Sequence, residues 1–194
     1  MAGVRDAGVL LSSPTTTTVL ELITGYLQEN KDDFFIDRFT AMASELDEDG
    51  WFANDHYSLA HLDLHPRNIL VNPTSDTEIP IISGVMDWDN AILAPMFMSC
   101  QPPLWLWGWK HDEDEDERTA NDEPPTVESR ELKRLFENAA GPEYLRLAYK
   151  PAFRLARQLF SFALNGVRSN EQFKEADTML QEWEVIRQPR VSAA

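Results

Sequence analysis

Apolar residues recur along this chain in two rhythms. Ile69-Leu70-Val71 and Ile79–Val85 are short branched runs on either side of a turn-rich loop holding Asn72-Pro73, Ser75 and Asp76. That pattern predicts a β-hairpin. Elsewhere the spacing is helical. Leu20, Ile23 and Leu27 share one face behind Thr18 and Glu21, which are spaced as a capping box. Phe35, Phe39, Met42 and Leu46 line a second helix that starts near Asp32 or Asp33, where acidic residues complement the helix dipole, and Gly50 ends it. Tyr57–His61 reads as a short strand or extended lead-in, and after Asp87 the chain turns irregular, broken by Pro95, Pro102 and Pro103. Thr126–Ala139 predicts a helix with Leu132, Leu135 and Phe136 facing in, ended by Gly141-Pro142. Pro142 and Pro151 start two more helical pieces, the second apolar at Phe153, Leu155, Leu159, Phe160 and Phe162 and stopped by Asn165-Gly166. Asn170 caps a last helix with Phe173, Ala176, Leu180 and Trp183 at helical spacing. The expected class is α+β, mostly helical, with one small β-hairpin.

The hairpin matters because of what flanks it. In an antiparallel pair the start of the first strand lies beside the end of the second. Asp63 and Asn68, just before strand one, therefore approach Asp87, just after strand two. Two carboxylates and an amide oxygen are hard ligands that suit Mg²⁺. Turn and capping polars are the plain alternative for these three residues, since Asp and Asn favour turns anyway. A zinc hydrolase built on His61, Asp63 and His65 is another, but His56 is unpatterned and His111 sits in an acidic run, so no second His cluster completes such a site.

Composition narrows the setting. The chain has 194 residues, 43% of them hydrophobic, with ten Phe and six Trp, which is globular rather than disordered composition. A net charge of −16 argues against a sequence-independent grip on nucleic acid. No apolar run approaches the ~20 residues of a membrane span, and the first residues are too weakly apolar for a secretory signal. The single Cys100 allows no internal disulfide. These features give the expectation of a soluble, cytoplasmic protein with no nucleic-acid or membrane partner.

His61-x-Asp63-x4-Asn68 within HLDLHPRNILV, followed by Asp87 within GVMDWDNA, resembles the catalytic core of the aminoglycoside phosphotransferase and choline-kinase-like family, a branch of the protein-kinase-like fold. The resemblance runs from about residue 15 to 187, the helical C-terminal lobe. It implies Mg²⁺-dependent transfer of the γ-phosphate of ATP to a hydroxyl of a small molecule, which makes the chain an alcohol-accepting phosphotransferase. By that resemblance Asp63 accepts or orients the hydroxyl proton, Asn68 and Asp87 hold Mg²⁺, and His61 buttresses the loop. Arg67 meets phosphate or pairs with a neighbouring carboxylate, and Asp89 is a less specific further ligand. The family's N-terminal β-rich lobe is absent from the reading: the residues before His61 look helical, hold no Gly-rich run and carry one lysine, Lys31. The expectation is a truncated, weakly active phosphotransferase, or a non-catalytic kinase-like scaffold whose uncovered face recruits a partner or a second copy.

The acceptor stays open among an aminoglycoside, choline, a sugar or something unrelated, with the acidic surface favouring a cation. Trp105, Trp107 and Trp109 alternate, so in an extended segment they would share one face, as a wall for an ammonium group or as core. The organisation expected is a flexible leader at 1–14, one domain at 15–187 with an acidic disordered loop at 111–125, and a tail at 188–194. The run Asp112–Glu117 reads as solvated, and Cys100 as buried and inert.

Overall fold

The capping box forms as the spacing predicts: Thr18 Oγ1 accepts from the Glu21 amide at 3.1 Å, and the Glu21 carboxylate accepts from the Thr18 amide at 2.8 Å. It opens α1 (Val19–Glu29), which buries Val19, Ile23 and Leu27. A computed structural model describes residues 17–30, 34–53, 56–72, 81–108 and 116–187. Asp32 and Asp33 lie outside the described residues, and α2 (Ile36–Glu48) begins just beyond them, with Asp37 as the acid of its first turn. Its end is fixed by Gly50 at φ 78°, where the Trp51 amide donates to Leu46 O and the Gly50 amide to Asp47 O. That is a Schellman motif, whose left-handed residue glycine adopts without steric cost.

Two antiparallel ribbons follow. β1 (Tyr57–Ala60) pairs with β4 (Ile92–Pro95), and β2 (Ile69–Asn72) pairs with β3 (Ile81–Val85). The β2–β3 hairpin is the predicted one, with Ile69 opposite Val85 and a bulge between Leu70 and Val71; its connecting loop, 73–80, lies outside the described residues. β4 corrects the irregular reading after Asp87: Pro95 ends the strand rather than preventing it, because a proline is tolerated where a strand stops.

α3 (Val127–Tyr149) is broken at Gly141, whose φ of 79° and ψ of 162° are not helical, so Gly141-Pro142 divides it as predicted. Leu132 and Phe136 do pack inward, against Leu104, Trp107 and Ala120, whereas Leu135 is half exposed. α4 (Pro151–Asn165) is the hub and touches α1, α2, α3 and α5 (Asn170–Arg187). The cap of α5 is Ser169, not Asn170: Ser169 Oγ accepts from the Gln172 amide at 3.1 Å. Five α-helices and two small antiparallel ribbons among the described residues make an α+β, mostly helical architecture.

Residues 116–125 are not part of a disordered acidic loop. Glu117–Asn121 is a 3₁₀ turn, and the Glu117 carboxylate meets the Arg157 guanidinium at 2.5 and 3.0 Å. Arg157 is buried on α4 and also donates to the carbonyls of Leu147 at 2.9 Å and Phe97 at 3.2 Å. One buried cation thus ties the acidic turn, the end of α3 and the Met96–Met98 turn to the core. Phe97 packs on Phe52, Phe153 and Phe160, which anchors the end of β4. The Met96 amide reaches His56 O at 2.7 Å, so the β1–β4 ribbon is held from the core side, and β1 leads directly into the buried His61.

Candidate functional site

The stretch after β1 doubles back through Leu62, a non-glycine residue at φ 60°, before the 3₁₀ turn Pro66–Asn68 leads into β2. His61 holds this loop by both ring nitrogens. Its Nε2 lies 2.7 Å from Met86 O, and its Nδ1 lies 3.3 Å from the Asp63 amide nitrogen. A carbonyl only accepts and an amide N–H only donates, so one tautomer serves both bonds: Nε2 carries the proton and Nδ1 accepts. The ring also meets Trp88 edge-on at 4.7 Å. Neither nitrogen is left to bind a metal, which removes His61 from the zinc alternative.

Met86 is gripped from both ends. Its carbonyl accepts the hydrogen bond from His61 Nε2–H, and its amide donates to Asn68 O at 2.8 Å. The exit of β3 is thereby fastened to the entry of β2, and Asp87 is the next residue in the chain. Asp87 sits at φ 64° and ψ 52°, the left-handed region that costs a side-chain-bearing residue energy. Strain of this kind persists where surrounding bonds over-determine the backbone, and it concentrates at functional sites.

Asp63 is the centre of the polar cluster. Arg67 Nη2 donates to both its oxygens at 2.7 and 2.9 Å, and His65 Nε2 lies 3.5 Å from Oδ1. Asn68 Nδ2 donates to Asp63 O at 2.8 Å and to Oδ2 at 3.2 Å. The Arg67 hydrogen bonds hold the Asp63 carboxyl below the ordinary carboxylate range, with Asn68 adding to the effect. Asn68 is buried, and its Nδ2 is spent on Asp63; among the described residues nothing donates to its Oδ1. The exposed Asp87 carboxylate likewise has no protein partner among the described residues. Asp89 is exposed on the turn Trp88–Asn90.

A cavity of about 260 Å³ opens on the other side of Asp63, and neither Asn68 nor Asp87 lines it. His61, Asp63 and His65 form its polar edge; Trp88, Met98, Pro102, Pro103, Trp105 and Tyr144 form most of the rest. The Tyr144 hydroxyl donates to Gln101 O at 2.6 Å, and burial pushes its phenol up to about 12. Trp105 and Trp107 do not share a face. Leu104–Leu106 is a 3₁₀ turn, so Trp105 lines the cavity, Trp107 is buried against Phe136, and Trp109 lies outside the described residues. Trp88 and Tyr144 were missed as site residues because their role comes from long-range packing, and no local spacing signals it.

Among the described residues no group of three or more His, Cys, Asp or Glu side chains could hold a metal ion, and no helix is long and apolar enough to cross a membrane. Set against known proteins, the chain matches no family model, no curated protein and no solved structure.

Proposed function

We propose that the chain is a phosphotransferase that moves the γ-phosphoryl group of ATP to the hydroxyl of a small molecule at Asp63, in the manner of the aminoglycoside phosphotransferase and choline-kinase-like family it resembles. One observation carries the reading. The Asn68 carbonyl accepts from the Met86 amide, the residue before the left-handed Asp87, while Asp63 accepts a hydrogen bond from Asn68 and lines a cavity.

Asp63 holds the acceptor hydroxyl. As that oxygen bonds to the γ-phosphorus, the bond from phosphorus to the β,γ-bridging oxygen breaks and ADP leaves with the electron pair. The hydroxyl proton passes to the Asp63 carboxylate and then to solvent. His61 keeps the loop in register through Met86 and Asp63, so its role is positioning. Arg67 covers both Asp63 oxygens, and a phosphate group competing for the guanidinium frees one of them for the hydroxyl. The donor set fits Mg²⁺: the Asn68 Oδ1 and the Asp87 carboxylate are hard oxygens that accept no protein hydrogen bond among the described residues. When bound, that ion supplies charge neutralisation for the transferring phosphoryl group.

Calorimetric titration of the whole chain with ATP and Mg²⁺ tests this. Magnesium-dependent binding that is lost in Asp87→Ala supports the reading, as does phosphoryl transfer abolished by Asp63→Asn. No binding up to millimolar nucleotide overturns it.

A second reading, a non-catalytic scaffold that pairs with another copy of the chain, has its own support. Leu59 and Leu93 face each other across β1–β4, as do Val71 and Ile82 across β2–β3, and all four are exposed. Apolar pairs on open ribbon faces are surfaces that partners cover. Sedimentation of the Leu93→Lys variant tests it, because a dimer through these faces becomes a monomer.

A further inference from the structure

Resting on the phosphotransferase reading, we infer that the cavity beside Asp63 takes an uncharged alcohol whose single hydroxyl is carried on a flat aromatic or branched apolar body. The lining decides this, and it runs against the cationic acceptor that the net charge of −16 suggests. Overall charge steers encounters from a distance, whereas local pairing decides what a site holds. Asp63 is the one carboxylate among the described lining residues, and Arg67 already neutralises it through two hydrogen bonds. While Arg67 holds Asp63, a polycation placed there meets no uncompensated negative charge and loses its hydration.

A sugar fares no better. It needs several polar partners, and beyond Asp63 the wall leaves few of its polar groups open, chiefly His65 and the Gln101 side chain. His61 has given both nitrogens to the backbone, Ser99 Oγ is bonded to Ser58 Oγ at 2.7 Å, and the Tyr144 hydroxyl is bonded to Gln101 O. The hydroxyls of a sugar outnumber the groups left open, so most of them would be stripped of water without a partner. The Asp63 edge is therefore the main polar handle, suited to one hydroxyl. Burial keeps Tyr144 in its neutral form, so it adds no charge.

The remaining wall is what an apolar body wants. Trp88, Trp105 and Tyr144 offer ring faces or edges, and Leu62, Val85, Met98, Pro102 and Pro103 fill between them. Aromatic and thioether groups of this kind pack flat or branched ligands. A volume of about 260 Å³ falls just below the ~300 Å³ at which pockets for drug-sized ligands begin, which matches a one- or two-ring alcohol.

The test is calorimetric titration of the whole chain, without nucleotide, using 2-(2-naphthyl)ethanol, choline and glucose as probes. The expected result is saturable binding of the naphthyl alcohol at least tenfold tighter than either of the others, weakened at least tenfold in Trp105→Ala. If Trp105→Ala does not fold, Leu59→Lys at the exposed rim serves instead and gives the same loss. Choline or glucose binding as tightly as the naphthyl alcohol overturns the inference, and so does the absence of saturable binding. Transfer of labelled γ-phosphate is read separately. Binding as expected with no transfer under Mg²⁺ and ATP upholds the ligand class and overturns the phosphotransferase reading instead.

Discussion

The Arg67 guanidinium holds both oxygens of the Asp63 carboxylate, at 2.7 and 2.9 Å, from one turn along the same loop. A carboxylate gripped this way is a weak base and a good anchor. In the proposed phosphotransferase such a carboxylate orients the hydroxyl, and its proton affinity rises only when Arg67 is drawn elsewhere.

Replacing Arg67 with Met frees Asp63, and the Asp63 carboxyl then titrates at a higher pH, towards its ordinary value. The reason is that Arg67 is the largest cause of the depression. Because pairing lowers the folded-state value, its contribution to stability is present above the ordinary carboxylate range and fades as the pH falls through the lowered value. Carboxyl carbon chemical shifts followed from pH 7 down to acid, without metal, check this. An unchanged Asp63 titration in Arg67→Met would show that the ion pair does not persist in solution.

Asp87 separates stability from function. A glycine at this left-handed position has no steric penalty, whereas an alanine keeps the strain. Asp87→Gly is therefore expected to be about 1 kcal/mol more stable than Asp87→Ala, although both lose magnesium-dependent nucleotide binding. Urea unfolding of the two variants beside calorimetry with ATP measures both halves of the prediction.

Removing the His61 ring takes away the donor to Met86 O and the edge contact with Trp88. His61→Ala should lose about 1–3 kcal/mol of stability, the cost of leaving a largely buried polar group without its partner. An unchanged midpoint in denaturant would show that the loop is held without this bond.

Glu117→Ala strands the Arg157 charge, which is 2% exposed in the helical core. Breaking a buried pair from one side costs about 3 kcal/mol, and replacing both partners with apolar residues recovers much of it. The double variant Glu117→Ala/Arg157→Met should accordingly melt above Glu117→Ala alone. Equal melting temperatures would mean that the backbone carbonyls of Phe97, Cys100, Leu147 and Ala148 suffice to satisfy Arg157.

How far the sequence could be read depended on the range of each interaction. The Thr18–Glu21 capping box, the Gly50 stop, the Gly141-Pro142 break and the β2–β3 hairpin are local, so residues three to a dozen or so apart determine them. The link from the Met86 amide to the Asn68 carbonyl, at the open end of the hairpin, was legible for the same reason. The pairing of β1 with β4 was not, because more than thirty residues intervene and the prolines masked the strand. Nor was Arg157 distinguishable on an apolar helix face, since a cation there makes sense only once Glu117 arrives from 40 residues away. The cavity wall has the same history. Trp105, Tyr144 and Trp88 come from three parts of the chain, and only tertiary packing makes them neighbours.

The two apolar clusters described above divide the molecule into regions of unequal cooperativity. The hub helix α4 and its neighbours bury more than two dozen side chains together, whereas Leu104, Trp107 and Ala120 form a small satellite with Leu106, Leu132, Phe136 and Tyr149 at its edge. Trp105 rides on the satellite, while His61 follows a strand whose partner ends at the Phe97 anchor in the main core. Segments with little buried apolar area open at a fraction of the global unfolding energy. The indole wall of the cavity is thus the side that breathes. Amide hydrogens of Leu106 and Trp107 should exchange well before those of α4, and an apolar guest would enter by parting that wall while the Asp63 loop stays still.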